Sequence, residues 1–208
     1  MNKNVKDFWE KAHEESAIEW LSGTHLNELK INLHLDDLLK ENIKVLNIGV
    51  GLGVCTKELV DMGCTVDVLD ISDIAITKVK NITRKQYLAS YEFGLPKNEY
   101  DLVISYLVSQ HMNDVNLKRQ LKYVIRSLKS TGTFALQFAF IEDYDLMKRD
   151  QERIQGETAE TTGGVIRPLE DIQKFVEENG GYLSWVSEVC HSEHTIAKWQ
   201  FVHIKRKE

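Results

Sequence analysis

A loop with three glycines at alternate positions most restricts how this chain can fold. Gly49, Gly51 and Gly53 directly follow a short apolar run, residues 45–48, and precede a helical apolar period over residues 54–62. This order is typical of the first strand, turn and helix of an α/β sheet. Glycine lets a ligand approach the backbone, and the amides that open the next helix favour polar or anionic groups. A tight turn with no ligand would also use glycine here.

Strands and helices alternate after this loop. We predict further strands over residues 65–70, 86–90, 102–105, 133–140, 182–190 and 195–204. Predicted helices cover 6–21, 24–39, 73–80, 115–129 and 169–178, with Thr24, Ser72 and Asn113 or Asp114 as N-caps. The last two strands are too close for a crossover helix, so they should pair antiparallel. We expect an α/β, doubly wound, mostly parallel seven-stranded sheet with an antiparallel C-terminal hairpin and N-terminal helices.

Composition indicates an ordinary globular protein. The formal net charge is −6, from 26 Lys and Arg against 32 Asp and Glu, which disfavours a nucleic-acid partner. No apolar stretch reaches the roughly 18 residues of a membrane span, and the first residues lack the apolar segment of a secretory signal. Three scattered cysteines are typical of reduced thiols. We therefore expect a cytoplasmic protein without a membrane partner.

Asp70 closes the second predicted strand, 21 residues after Gly49. In a doubly wound sheet, a carboxylate at this position can accept hydrogen bonds from both ribose hydroxyls of a nucleoside. Asp70 could instead cap the next helix, although Ser72 or Asp73 can do that. The glycine loop and the acid together predict a nucleoside site.

The glycine spacing distinguishes between two kinds of nucleoside. The dinucleotide pattern G-x-G-x-x-G needs glycine at position 54, where this chain has Val54, and its third glycine is Gly53. The pattern G-x-G-x-G, followed by a C-terminal antiparallel hairpin, resembles the class I S-adenosylmethionine-dependent methyltransferases over residues 44–206. The stretches 100–105, 110–114 and 128–136 are similar to the family's fourth strand, the loop after it, and the turn before strand five.

The resemblance implies S-adenosylmethionine as the cofactor and a set of contacts for it. These cofactor-binding residues are Asn47, Gly49, Gly51, Gly53, Asp70, Ile71, Ser90 and Ser105. Asn47 departs from the acid usual in the family, so no charge opposes the cofactor's ammonium group. Ser90 is our choice for adenine, because the aspartate common in that neighbourhood is absent.

The resemblance also implies a division of the chain. We expect a single methyltransferase domain over residues 1–208. Residues 1–40 form an N-terminal helical cap, 44–140 the cofactor-binding half, 141–166 a lid or excursion, and 167–208 a C-terminal helix and hairpin.

His111 is the candidate catalytic base, because it follows predicted strand four at the switch point and an imidazole titrates near neutral pH. It could instead pack against the cofactor or bond to loop backbone, as similar loops in the family do. The candidate substrate-binding residues are His13, Trp20, Tyr106 and Arg167. The first three could instead be buried in the core, and Arg167 could instead form an ion pair.

The predicted reaction is methyl transfer to a small-molecule acceptor, with an oxygen nucleophile such as a sugar or metabolite hydroxyl preferred. N-methylation of a small amine and a non-catalytic S-adenosylmethionine-binding protein remain alternatives, as does a nicotinamide-dependent oxidoreductase. His191 and His194 lack the further ligands that zinc needs, so we predict no metal site.

Overall fold

The structure is a computed structural model that describes residues 3–15, 24–89, 94–140, 164–191 and 198–207. Its helices are α1 (Lys3–Glu15), α2 (Leu26–Asn32), α3 (Val54–Asp61), α4 (Asp73–Val79), α5 (Asp114–Ser127) and α6 (Leu169–Glu178). Its strands are β1 (Lys44–Ile48), β2 (Thr65–Asp70), β3 (Lys85–Leu88), β4 (Tyr100–Ser105), β5 (Leu128–Phe140), β6 (Gly181–Val186), β7 (Cys190–His191) and β8 (Lys198–Arg206). No helix in these segments is long and apolar enough to cross a bilayer.

The strands form one mixed sheet in the order β3-β2-β1-β4-β5-β8-β6, with the two-residue β7 also paired to β8. Strands β1 to β5 are parallel, and β8 is antiparallel to β5 and β6. The predicted fold class is confirmed. Because β2 and β4 flank β1, the carboxyl ends of these three strands meet at the switch point, where open α/β sheets bind ligands.

Each face of the sheet buries its own apolar cluster. One cluster joins the strands to α5 and α6, and the other joins them to α2, α3 and α4. The period of two along a strand produces this division, because adjacent side chains point to opposite faces. In β1, Leu46 and Ile48 pack toward α5, whereas Val45 packs on the other face.

A buried ionic group ties β2 to its neighbours. The Asp67 carboxylate is fully buried and accepts two hydrogen bonds from the Arg84 guanidinium, at 2.9 and 2.6 Å, and one from the Tyr100 hydroxyl at 2.8 Å. Arg84 also donates to Glu99 at 2.7 Å. These contacts join β2, the entry to β3 and the start of β4.

Several predicted boundaries differ from the structure. Helix α2 ends at Asn32 rather than near Leu39, and its N-cap is His25 rather than Thr24, because the Glu58 carboxylate of α3 accepts the Leu26 amide at 2.5 Å. Strand β3 begins one residue earlier than predicted. Strand β5 starts at Leu128, before the predicted Gly132 turn, and its register with β4 shifts between Tyr100 and Leu102. The predicted N-caps Ser72 and Asn113 are confirmed.

The Asp67 group gives a stability prediction. Arg84→Met leaves a buried carboxylate without its cation, so we expect the free energy of unfolding to fall by about 2–4 kcal/mol at neutral pH in urea denaturation. Lys85→Met, on the exposed neighbouring residue, is the control and should change it by less than about 0.5 kcal/mol. Equal losses in the two variants would contradict the assigned role.

Candidate cofactor-binding and active site

The glycine loop at the end of β1 adopts backbone angles that favour glycine. Gly49, Gly51 and Gly53 have φ values of +82°, +55° and +84°. A Cβ atom on Gly49 would lie 2.2 Å from Cγ2 of Val108, whereas one on Gly51 would meet no atom within 4 Å. The loop therefore passes close beneath the turn after β4 at Gly49 and is open at Gly51.

The Asp70 carboxylate holds this loop. Its Oδ2 accepts the Val50 amide at 2.6 Å, and its Oδ1 accepts the Ser72 amide at 2.9 Å. Burial raises the pKa of the Asp70 carboxyl group above its ordinary value, while these two amides and His13 act in the opposite direction. Each oxygen can accept a further bond, so the carboxylate can hold the loop and a ribose diol together.

Three other predicted cofactor contacts lie at the same edge. Asn47 is buried near the end of β1 and donates to Thr56 Oγ1 at 2.9 Å. Ser105 ends β4 beside Ile48, and its buried hydroxyl has no hydrogen-bond partner in the described part of the chain. Ile71 lies half-buried in the turn between β2 and α4. The structure thus brings seven of the eight predicted cofactor residues to one edge; Ser90 lies outside the described residues.

Helix α1 lies across this edge. The Glu10 carboxylate accepts hydrogen bonds from the Ser72 hydroxyl at 2.7 Å and the Asp73 amide at 2.8 Å, and Lys6 pairs with Asp73 at 2.7 Å. Burial raises the pKa of Glu10, but the hydrogen bonds outweigh it, so the pKa is lowered overall. One face of α1 is therefore fixed on the start of α4.

The same helix also reaches the turn after β4. The Trp9 ring lies edge-on to the His111 ring, with centroids 4.8 Å apart. His13, one helical turn further along α1, is buried and within electrostatic range of Asp70. The structure therefore places His13 near the end of β2, and Trp9, which the sequence analysis did not select, near His111.

The turn that carries His111, residues 107–112, is fixed from two sides. Leu107 has a φ of +57°, and its amide donates to Gln137 Oε1 at 2.5 Å, while the Ser109 hydroxyl donates to the Gln137 carbonyl. Arg167 donates to the Ser109 and Met112 carbonyls, at 3.4 and 2.6 Å. The loop is therefore set by groups on β5 and on the segment before α6.

Arg167 and Tyr106, two predicted substrate contacts, are bonded within the protein. Arg167 is 1% exposed and its Nε pairs with Asp114 at 2.9 Å; burial lowers its pKa, and Asp114 opposes this effect. The Tyr106 hydroxyl donates to Glu28 at 2.7 Å and accepts from Asn32 at 2.9 Å. Burial and Glu28 raise the pKa of Tyr106. Their substrate roles stay predictions, and the geometry favours structural ones.

Some predictions fall outside the described residues. These are the prediction for Trp20, a candidate substrate contact, and the prediction of a lid, most of which is residues 141–163. Within the described segments, no group of three or more His, Cys, Asp or Glu side chains could hold a metal ion. Burial raises the pKa of the Cys55 thiol to about 12, so this cysteine is not a thiolate at neutral pH.

The close approach at Gly49 gives a prediction with an internal control. Gly51→Ala introduces only backbone strain, about 1–2 kcal/mol, whereas Gly49→Ala adds a clash with Val108 and should cost about 1–3 kcal/mol more in urea denaturation. The double variant Gly49→Ala/Val108→Ala should recover part of the extra loss. Equal losses for the two single variants would contradict this reading of the loop.

Comparisons with known proteins agree with this geometry. Residues 46–136 match a family model described as "Methyltransferase domain", and the comparison with curated proteins finds no match.

Three similar solved structures are informative. The Haemonchus contortus phosphoethanolamine N-methyltransferase 2, with phosphomonomethylethanolamine and S-adenosylhomocysteine, has a TM-score of 0.70 at 16% identity, covering 98% of this chain and 60% of that chain. A second match is a chain in the structure of the complex between the Haloferax volcanii Trm112 methyltransferase activator and a methyltransferase. Its TM-score is 0.70 at 12% identity, and the alignment covers 96% of this chain and 98% of that chain. The third is the Synechocystis magnesium protoporphyrin IX methyltransferase with bound S-adenosylhomocysteine. Its TM-score is 0.59 at 16% identity, and the alignment covers 100% of this chain and 89% of that chain.

At these identities the solved structures establish the fold. The family model covers the glycine loop, Asp70 and the His111 turn. The match identifies residues 46–136 as a methyltransferase domain, and the strand order of the sheet is the Rossmann-like fold of the methyltransferases among these solved structures.

Proposed function

We propose that this enzyme methylates an oxygen nucleophile of a small-molecule acceptor, with His111 as the general base. In the reaction, the acceptor oxygen forms a bond to the methyl carbon as the bond from that carbon to the sulfonium sulfur breaks. His111 takes the hydroxyl proton, and S-adenosylhomocysteine leaves as a neutral thioether. The cofactor supplies the leaving group, so the protein mainly orients the reactants and removes the proton.

The position of His111 supports this proposal most strongly. Its ring stands at the carboxyl edge, in a turn held by Gln137 and Arg167 and packed against Trp9. A base must be within hydrogen-bond reach of the proton that it removes, and a turn fixed from two sides restricts where the imidazole can lie.

The cover formed by α1 supports a small acceptor. This helix contacts α4 through Glu10 and the 107–112 turn through Trp9, so it spans the edge that we propose for the cofactor. A net charge of −6 also disfavours a nucleic-acid acceptor, which would be attracted by basic surfaces. We propose that the acceptor reaches the methyl group beside the contact of Trp9 with His111.

Methylation of a small amine is the second candidate. The similar Haemonchus contortus structure is a phosphoethanolamine N-methyltransferase. A neutral amine attacks through its own lone pair and needs no base, so the two candidates differ in their dependence on His111. A panel of hydroxyl and amine acceptors, assayed by release of S-adenosylhomocysteine, separates them. Cofactor binding without release on any acceptor would support a non-catalytic binding protein, an alternative that Asn47 leaves open.

The proposed base gives a kinetic prediction. His111→Ala should lower kcat with a hydroxyl acceptor on the order of 10²–10⁴-fold, while calorimetry shows nearly unchanged affinity for S-adenosylhomocysteine. His25→Ala, on an exposed histidine that contacts Glu58, is the control and should retain activity. An equal loss of cofactor affinity in His111→Ala would instead indicate that His111 is a packing or cofactor contact.

A further inference from the structure

The imidazole of His13 is buried without a partner for one of its nitrogens. The residue is 4% exposed, and Nδ1 makes no hydrogen bond within the described part of the chain. A buried polar atom left in this state costs about 1–3 kcal/mol, so an apolar side chain would be more stable there. A ligand that supplies the missing hydrogen bond explains why such an atom is kept at a binding edge.

The charges around His13 restrict the chemistry of that ligand. The carboxylates of Asp70 and Glu10 raise the pKa of His13 and Lys78 lowers it, but burial has the largest effect and lowers the pKa overall. A neutral imidazole has one donor and one acceptor nitrogen, which matches a hydroxyl group that can both accept and donate. An anionic ligand group would face the two acidic side chains, so a hydroxyl fits better than a carboxylate.

Asp70 is within electrostatic range of His13 and offers the matching acceptors. Its Oδ2 accepts the Val50 amide and its Oδ1 accepts the Ser72 amide, and the Ile71 amide also stabilises the ionised form. An ionised carboxylate has about four acceptor positions, so Asp70 retains capacity for a further donor. A diol placed between this carboxylate and His13 would satisfy both groups. The cofactor of this enzyme contains such a diol in its ribose.

We propose that His13 forms a hydrogen bond with a ribose hydroxyl of S-adenosylmethionine, so that the sugar is bound by Asp70 from the sheet and by His13 from α1. This assignment replaces the expectation that His13 contacts the methyl acceptor. It does not depend on the acceptor class or on His111 as the base. It also makes the cofactor a bridge between the sheet and the helix that carries Trp9.

Two substitutions test the contact. His13→Leu removes the nitrogen but keeps an apolar side chain in the buried position. We expect its Kd for S-adenosylhomocysteine in calorimetry to rise about 3- to 30-fold, while the melting temperature of the cofactor-free protein stays the same or increases. His13→Asn, whose amide can reach the position of Nδ1, should bind more tightly than His13→Leu. Lys11→Leu, on an exposed residue of the same helix, is the matched control and should bind normally.

Deoxy analogues identify the group that is contacted. S-adenosylhomocysteine lacking the 2′- or the 3′-hydroxyl should be bound more weakly by the unmodified enzyme. For the analogue without the contacted hydroxyl, the unmodified enzyme and His13→Leu should have equal affinities, because the interaction is already absent.

Three results would overturn the proposal. One is an unchanged Kd of His13→Leu for S-adenosylhomocysteine. Another is the same fold-loss for the natural product and for both deoxy analogues, which would mean that His13 acts through the packing of α1. The third is a raised KM for the acceptor with unchanged cofactor affinity, which would return His13 to the acceptor site.

Discussion

The site depends on the buried carboxylate of Asp70. Burying a charge is costly unless hydrogen bonds compensate for it, and here the Val50 and Ser72 amides, at 2.6 and 2.9 Å, offset part of that cost. The first amide belongs to the glycine loop after β1 and the second to the start of α4. One side chain therefore fixes the two backbone segments that we propose surround the nucleoside of the cofactor. The three positive φ angles of the loop are compatible with this arrangement because each belongs to a glycine.

Helix α1 joins this cofactor side of the site to the proposed acceptor side. Glu10 accepts a hydrogen bond from Ser72 at the start of α4, His13 is within electrostatic range of Asp70, and Trp9 packs on His111. Residues 9 and 13 are one helical turn apart, so the two contacts lie on one face of the helix. In this account, cofactor binding and the position of the aromatic ring beside His111 are coupled through a single rigid element.

The sequence predicted the sheet well because its strands are short apolar runs and its helices have clear caps. Ser72 and Asn113 were predictable since their side chains bond to amides three residues ahead. The start of α2 was not predictable, because the Leu26 amide donates its hydrogen bond to Glu58, which lies 32 residues further along the chain. Caps that come from another element leave no local signal.

Part of the candidate site was also predictable from the sequence. Glycine spacing and Asp70 predicted the edge where the structure brings seven of eight proposed cofactor residues together. Arg167 was different: a lone arginine in a polar stretch gives no sign of burial, yet its guanidinium holds the carbonyls of the His111 turn. Gln137 was missed for the same reason, since only the tertiary structure brings it to this turn.

The most direct test of the account is a crystal structure of the enzyme with S-adenosylhomocysteine. We expect the ribose hydroxyls to lie within hydrogen-bond distance of the Asp70 carboxylate and the sulfur to face the Trp9–His111 ring pair. A nucleoside bound away from the carboxyl ends of β1, β2 and β4, or a sulfur facing away from His111, would contradict it.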